Sequence, residues 1–163
     1  MLARKGKQCS ILTAPPAGQT VMYKKILVAL ENSRADQALL PHVAELAGHF
    51  HSQLVLLHVA DGWAARNFER FTLAESEEMK EDRAYLEKTA AELRGQGLQV
   101  ETQLALGEPS TEILRAARQE DCDLIAMTTH GHRLIGDVVF GSTIREVRHR
   151  SLIPILLVRA AAK

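Results

Sequence analysis

The residues that could do chemistry in this chain are gathered in one run, His130-Gly131-His132-Arg133-Leu134-Ile135-Gly136-Asp137-Val138-Val139-Phe140-Gly141-Ser142-Thr143. A strand-like segment, Asp123-Leu124-Ile125-Ala126-Met127, feeds the run, and a helix-like segment from Thr143 to Arg150 leaves it. The chemistry that suits such a place is anion binding. Backbone N–H groups at a helix start have no partner within the helix, and the helix dipole favours negative charge there. Gly131 and Gly141 let the main chain come close to a ligand. Ser142 and Thr143 add hydroxyl donors, Arg133 a positive charge and His130 a further contact. Thr143 and Glu146 also read as a capping box, which is compatible with a bound phosphate.

Other chemistries find less support. The chain has seven histidines. Its two close pairs, His130/His132 and His49/His51, lack a cysteine or third ligand at zinc-like spacing. His58, on a strand, reads as a satisfied core or interface residue. No Ser/His/Asp or Cys/His arrangement follows from the spacing. The phosphate loop Gly-x4-Gly-Lys-Ser/Thr is absent, so no lysine is set for fast phosphoryl transfer, and the dinucleotide fingerprint Gly-x-Gly-x-x-Gly is absent too. No catalytic residue and no metal ligand is assigned.

Those residues need a scaffold, and 163 residues with 46% hydrophobic content suffice for one domain with a core. Twenty basic and twenty acidic side chains cancel, which argues against a nucleic-acid surface. Cys9 and Cys122 stand far apart, as suits a reducing compartment, and a cytoplasmic location is expected. No apolar run approaches the roughly 20 residues that cross a bilayer, so no membrane partner is expected. Residues 1–22, with Pro15-Pro16, Gly6 and Gly18, show no sustained period and read as a flexible N-terminal tail.

From Lys25 onward strands and helices alternate. Ile26-Leu27-Val28-Ala29-Leu30 and Leu54-Val55-Leu56-Leu57-His58-Val59 are apolar runs of buried-strand type. Between them Ala35, Leu39, Val43, Leu46, Ala47 and Phe50 keep helical spacing, with Asn32 or Ser33 as the expected cap and Pro41 as an expected kink. Asp61 to Phe71 reads as a loop, and Thr72 with Glu75 as a capping box for a helix striped by Met79, Leu86, Ala90 and Leu93. Gly95 and Gly97 end that helix. Leu98 to Leu106 alternates as an edge strand should, and Gly107-Glu108-Pro109-Ser110 turns into a helix carrying Ile113, Leu114, Ala116 and Ala117. Strands at 123–127 and 154–158 bracket the last helix. The β-α alternation predicts a parallel sheet with right-handed crossovers.

Several landmarks in this order resemble universal stress proteins, whose pattern is Gly, two residues, Gly, nine residues, then Gly with Ser or Thr. Gly131 and Gly141-Ser142 keep the nine-residue spacer, while Thr128 stands at the first glycine. Lys25-Ile26-Leu27-Val28-Ala29, Leu57-His58-Val59, Gly107-Glu108-Pro109 and Ile153-Pro154-Ile155-Leu156-Leu157-Val158 fit as well. The resemblance runs over roughly residues 23–159, and residues 23–160 are taken as the nucleotide-binding domain. It implies an α/β fold with a single-domain open five-stranded parallel sheet, order 3-2-1-4-5, and helices on both faces (Rossmann-like). The edge-like third strand fits that order. The first and fourth strands would then flank a switch-point crevice of the kind where open α/β sheets bind ligands.

The same resemblance implies ATP as ligand, carried with Mg2+, and a stress-response regulatory role with slow hydrolysis or none, a weak ATPase at most. Ala29, Leu30 and Glu31 would border base and ribose, and Val59 would offer main-chain contacts to adenine. Met127 and Thr128 would line the floor. His130, Gly131, His132, Arg133, Gly141, Ser142 and Thr143 would surround the phosphates. Glu31 stands where the family usually has Asp, one methylene longer. The alternative is a dimeric interaction module of the same fold without nucleotide. A homodimer through the apolar strand at 153–158 is expected in either case, because such an edge needs a cover.

Overall fold

Ile26, Leu27 and Val28 are fully buried, as a strand must be when neither of its faces carries polar residues. The computed structural model describes residues 22–60, 77–129 and 138–160. Residues 1–21 lie outside these, as do 61–76 with the expected loop and Thr72/Glu75 cap, and 130–137. The elements are β1 (Lys25–Leu30), α1 (Asp36–Phe50), β2 (Gln53–Ala60), α2 (Glu77–Gly95), β3 (Gln99–Leu106), α3 (Pro109–Gln119), β4 (Leu124–Thr129), α4 (Val138–Arg150) and β5 (Ile155–Arg159). Five parallel strands lie in the order β3-β2-β1-β4-β5. The expected α/β architecture and strand order are those observed.

Alternation along the central strands sorts their side chains onto two faces. Ile26, Val28, Leu54, Leu56, Leu124 and Ala126 pack with Leu39 and Val43 of α1 and Leu86, Ala90 and Leu93 of α2. On the other face Leu27, Val55, Leu57, Ile125 and Met127 pack with Ile113, Leu114 and Ala117 of α3 and Val147 of α4. The predicted stripe of α2 is buried as expected, and Gly97 past its end takes φ 89°. Cys122 lies in the second layer, where burial pushes its thiol up to about 12 against the pull of Lys25. A thiol so placed is a packing group rather than a nucleophile.

Two element boundaries are corrected, those of α4 and β5. α4 starts at Val138 rather than Thr143. Thr143 therefore lies inside the helix, where it is buried, and is not its N-cap. Phe140, Ile144 and Val147 keep helical spacing across Gly141, and one interior glycine costs only about 1 kcal/mol, too little to stop the helix. The residue just before α1 is Ala35, and the expected cap Ser33 acts on it, its Oγ accepting from Ala35 N at 3.1 Å. Asp36, in the first turn of the helix, folds back to accept from Glu31 N (3.1 Å) and Ser33 N (3.2 Å), so the turn is tied from both sides. The last strand is shifted one residue, to Ile155–Arg159. α1 runs on through Pro41.

Glu108 caps α3. Its carboxylate accepts from Ser110 N at 3.0 Å, Thr111 N at 2.7 Å and Ser110 Oγ at 2.7 Å, with Pro109 in the first turn. Burial pulls this carboxyl upward, but the hydrogen bonds outweigh it and hold it at about 2, below its ordinary 4.5. A depressed carboxyl contributes stability that is whole above the unfolded value and fades as pH falls toward the folded one. Glu108→Gln is expected to cost about 1 kcal/mol at neutral pH, the usual worth of a cap. The variant should lose less than the wild type between pH 4.5 and 2, as urea unfolding at several pH values would measure.

Candidate functional site

A cavity of about 370 Å³ opens at the carboxyl ends of β1, β2 and β4, within the range of roughly 300–1,000 Å³ typical of small-molecule sites. It lies at the switch point, because the connection after β3 carries the chain from one side of β1 to the other. Ala29, Leu30, Glu31 and Asn32 line it from the end of β1, and Leu57, His58, Val59 and Ala60 from β2. Met127 and Thr128 come from β4, Glu78, Glu81 and Asp82 from α2, Pro109 and Ile113 from α3, and Thr143 from α4.

Seven of the predicted site residues thus meet in one place: Ala29, Leu30, Glu31, Val59, Met127, Thr128 and Thr143. Ser142 is exposed beside Thr143, and Gly141 falls in the first turn of α4. His130, Gly131, His132 and Arg133 lie outside the described residues.

The tip of β1 is held by Asp36, which is 1% exposed. Besides Glu31 N and Ser33 N, it accepts from the Tyr85 hydroxyl at 2.8 Å. Burial first, and then the Asp36 carboxylate, raise the Tyr85 phenol well above its ordinary value, so it stays a donor. Asn32, at φ 54°, turns the chain out of the strand, a conformation asparagine tolerates better than most residues. The Asn32 side chain then donates to Asp82 Oδ1 at 2.9 Å.

His58 is satisfied, as read from the sequence. Its Nδ1 donates to the Leu30 carbonyl at 2.9 Å, and its Nε2 lies 3.2 Å from Asp82 Oδ2. Asp82 therefore ties α2 to the tips of both β1 and β2. Sequence reasoning missed Asn32, Glu78, Glu81 and Asp82 as parts of the site. The available signal was Asp82 itself, a carboxylate spaced onto the apolar stripe of α2 between Met79 and Leu86, with the exposed Glu78 and Glu81 beside it.

The main chain of β2 contributes as well. β1 ends at Leu30, paired with His58, while β2 continues to Ala60. The Ala60 carbonyl accepts from Gly107 N beyond β3 at 3.2 Å. Successive carbonyls of a strand point to opposite sides, so the Val59 carbonyl faces the side where β1 has stopped.

The two positions that depart from the family pattern meet each other. Thr128 Oγ1 donates to Glu31 Oε1 at 2.9 Å. Thr128 sits in ordinary strand backbone, where a β-branched residue fits without strain. Glu31, Glu78, Glu81 and Asp82 make this end of the cavity acidic. A phosphate placed there would meet like charge, whereas Thr143 of α4 lines the cavity away from that acidic group.

Comparison with known proteins agrees with this fold. A family model described as the universal stress protein family matches residues 22–159. Universal stress protein MJ0577 of Methanocaldococcus jannaschii is 27% identical over 157 residues, spanning 86% of this chain and 97% of that protein. A solved structure of MJ0577 superposes with a TM-score of 0.71 at 29% identity, covering 88% of this chain and all of that one. Universal stress protein YxiE of Bacillus subtilis is 28% identical over 148 residues, spanning 85% of this chain and 100% of that protein. The universal stress protein of Archaeoglobus fulgidus, solved in complex with dAMP, shares the fold with a TM-score of 0.63 at 21% identity, covering 84% of this chain and 98% of that one.

Proposed function

The chain belongs to the universal stress protein family, and from that premise we propose that it is an adenine-nucleotide-binding regulatory protein. ATP, carried as its Mg2+ complex, is the ligand, and occupancy rather than turnover is the signal. The observation that carries this reading is the cavity at the switch point, with a carboxylate at the tip of β1 and the Val59 carbonyl on the side β1 has vacated.

In this reading the adenine amino group donates to the Val59 carbonyl, between the apolar walls of Ala29, Met127 and Ile113. The ribose lies against Glu31. The acidic rim then directs the triphosphate away from α2 and toward α4, whose first four N–H groups have no acceptor within the helix. His130, Gly131, His132, Arg133, Gly141, Ser142 and Thr143 surround the phosphates, and Mg2+ enters with them. Slow hydrolysis or none is part of this reading, since the sequence has no Gly-x4-Gly-Lys-Ser/Thr loop to set a lysine on the phosphates. Cytoplasmic residence fits the inert Cys122 thiol. No described helix is long and apolar enough to cross a membrane.

The same family reading includes a homodimer through β5. Leu157 is 39% exposed and Leu152 fully exposed beside that strand, and an apolar sheet edge is stabilised by pairing with a second copy.

Calorimetric titration of the purified chain with MgATP tests the nucleotide reading. Gly141→Val is expected to abolish the heat of binding while the melting temperature stays close to that of the wild type. Binding that survives the valine would put the phosphates elsewhere. No binding by the wild type would leave the fold as an interaction module without nucleotide.

A further inference from the structure

We propose that His58 and Asp82 form a proton-dependent latch on the wall of the cavity, closed while one proton lies between them, so that nucleotide affinity falls as pH rises and that proton leaves. The inference rests on the nucleotide reading above and adds to it a means of regulation. His58 Nδ1 is 2.9 Å from the Leu30 carbonyl, which can only accept, so this nitrogen carries a proton. Nε2 lies 3.2 Å from Asp82 Oδ2. A bare ring nitrogen and a carboxylate oxygen would face each other with lone pairs alone, and the contact is attractive only when a second proton sits on one of them. Asn32 Nδ2 meanwhile holds Asp82 Oδ1 at 2.9 Å, so the carboxylate cannot turn away without giving up that bond. The link joins α2 to the ends of β1 and β2, and Asn32, His58 and Asp82 all line the cavity.

The other charged groups that line the cavity beside the pair are all acidic: Glu31 at the tip of β1, and Glu78 and Glu81 on α2. Asp36 at the start of α1 and the Tyr85 hydroxyl hold the adjacent turn. Lys80 and Arg83, the cations of this part of α2, are exposed and outside the lining. On β2 itself His58 is flanked by Leu30 of β1 and Leu104 of β3, which carry no charge. With the proton in place, His58 and Asp82 have no net charge as a pair. Without it, one negative charge joins a rim that already holds three glutamates. The two side chains are 12% and 9% exposed, so salt screens that charge poorly. Loss of the proton therefore acts twice in one direction. It repels an anionic triphosphate more strongly, and it removes a tie that fixes the α2 wall of the site.

The experiment is calorimetric titration of the full chain with MgATP from about pH 5 to about pH 8, for the wild type, His58→Gln and Asp82→Asn. Glutamine does not titrate, so His58→Gln reports the ionisation of the nucleotide itself, which all three proteins share. The wild type is expected to lose about tenfold more affinity across the range than His58→Gln, the worth of one charge-assisted contact. Asp82→Asn should slope the opposite way, because an asparagine amide donates to a bare Nε2 and closes the latch without the second proton. A residue that only supports the fold would not invert a pH profile. Hydrogen exchange in the nucleotide-free wild type gives a second reading that needs neither variant to fold. Protection of the α2 amides, relative to those of α3, should fall as pH rises. Equal pH dependence in the wild type and His58→Gln, a wild-type slope kept in Asp82→Asn, or constant α2 protection would each overturn the proposal. Failure of the wild type to bind nucleotide at any pH, with α2 protection still falling, would instead overturn the nucleotide reading and uphold the latch.

Discussion

Asp36→Ala is expected to lower the unfolding free energy by roughly 3 kcal/mol or more, the cost of stranding several buried donors at about 1–3 kcal/mol each. Three donors converge on this one carboxylate: Glu31 N, Ser33 N and the Tyr85 hydroxyl. At 1% exposure, water does not replace the lost acceptor without the turn opening. Asp36→Asn keeps one acceptor oxygen and should cost distinctly less. Urea unfolding compares the two. A second readout separates a local from a global effect. The Tyr85 phenol is raised by burial first and by Asp36 next, so in Asp36→Ala its ionisation should move back toward the ordinary range in an ultraviolet titration. Nucleotide affinity should fall with stability, because the turn from Glu31 to Ala35 carries the carboxylate proposed to meet the ribose. A variant as stable as the wild type would show that the turn is held by its own backbone geometry.

Leu157→Asp is expected to convert a homodimer to monomers in light scattering. The two edges of the sheet differ in chemistry. β3 carries Gln99, Glu101 and Gln103, a polar outer strand that discourages pairing, whereas β5 reads Ile155-Leu156-Leu157-Val158-Arg159. A carboxylate at Leu157 would have to be desolvated against its symmetry mate, where two like charges face each other in a partly dry interface. That penalty runs to several kcal/mol, equivalent to orders of magnitude in the dissociation constant. Leu157→Asp should leave the fold of each protomer unchanged, since the position is 39% exposed in the single chain. A dimer that persists would place the interface on another surface.

Much of the architecture is legible in the sequence because its strongest signals are local. Apolar runs without polar alternates, at 26–30 and 54–59, can only be strands with both faces covered, and the α2 stripe from Met79 to Leu93 can only face a core. The alternation of Leu98 to Leu106 marks an edge strand. Boundaries were less legible. At Gly141 the local cost of glycine competes with helical spacing on both sides of it, and at Asp36, which opens α1 as its type suggests, the bonds back to Glu31 and Ser33 come only from the fold of the turn.

The chain's residue order by itself determined the α/β class, the two-sided burial of the central strands and the cluster of site residues at strand ends, because periodicity and turn chemistry act over a few neighbours. Only the tertiary structure decided that Glu31 and Thr128, 97 positions apart, share a hydrogen bond, and that Asp82 closes the cavity against Asn32 and His58. Such contacts depend on which strands lie side by side and how far each extends. That is settled by packing of the whole sheet rather than by any local pattern.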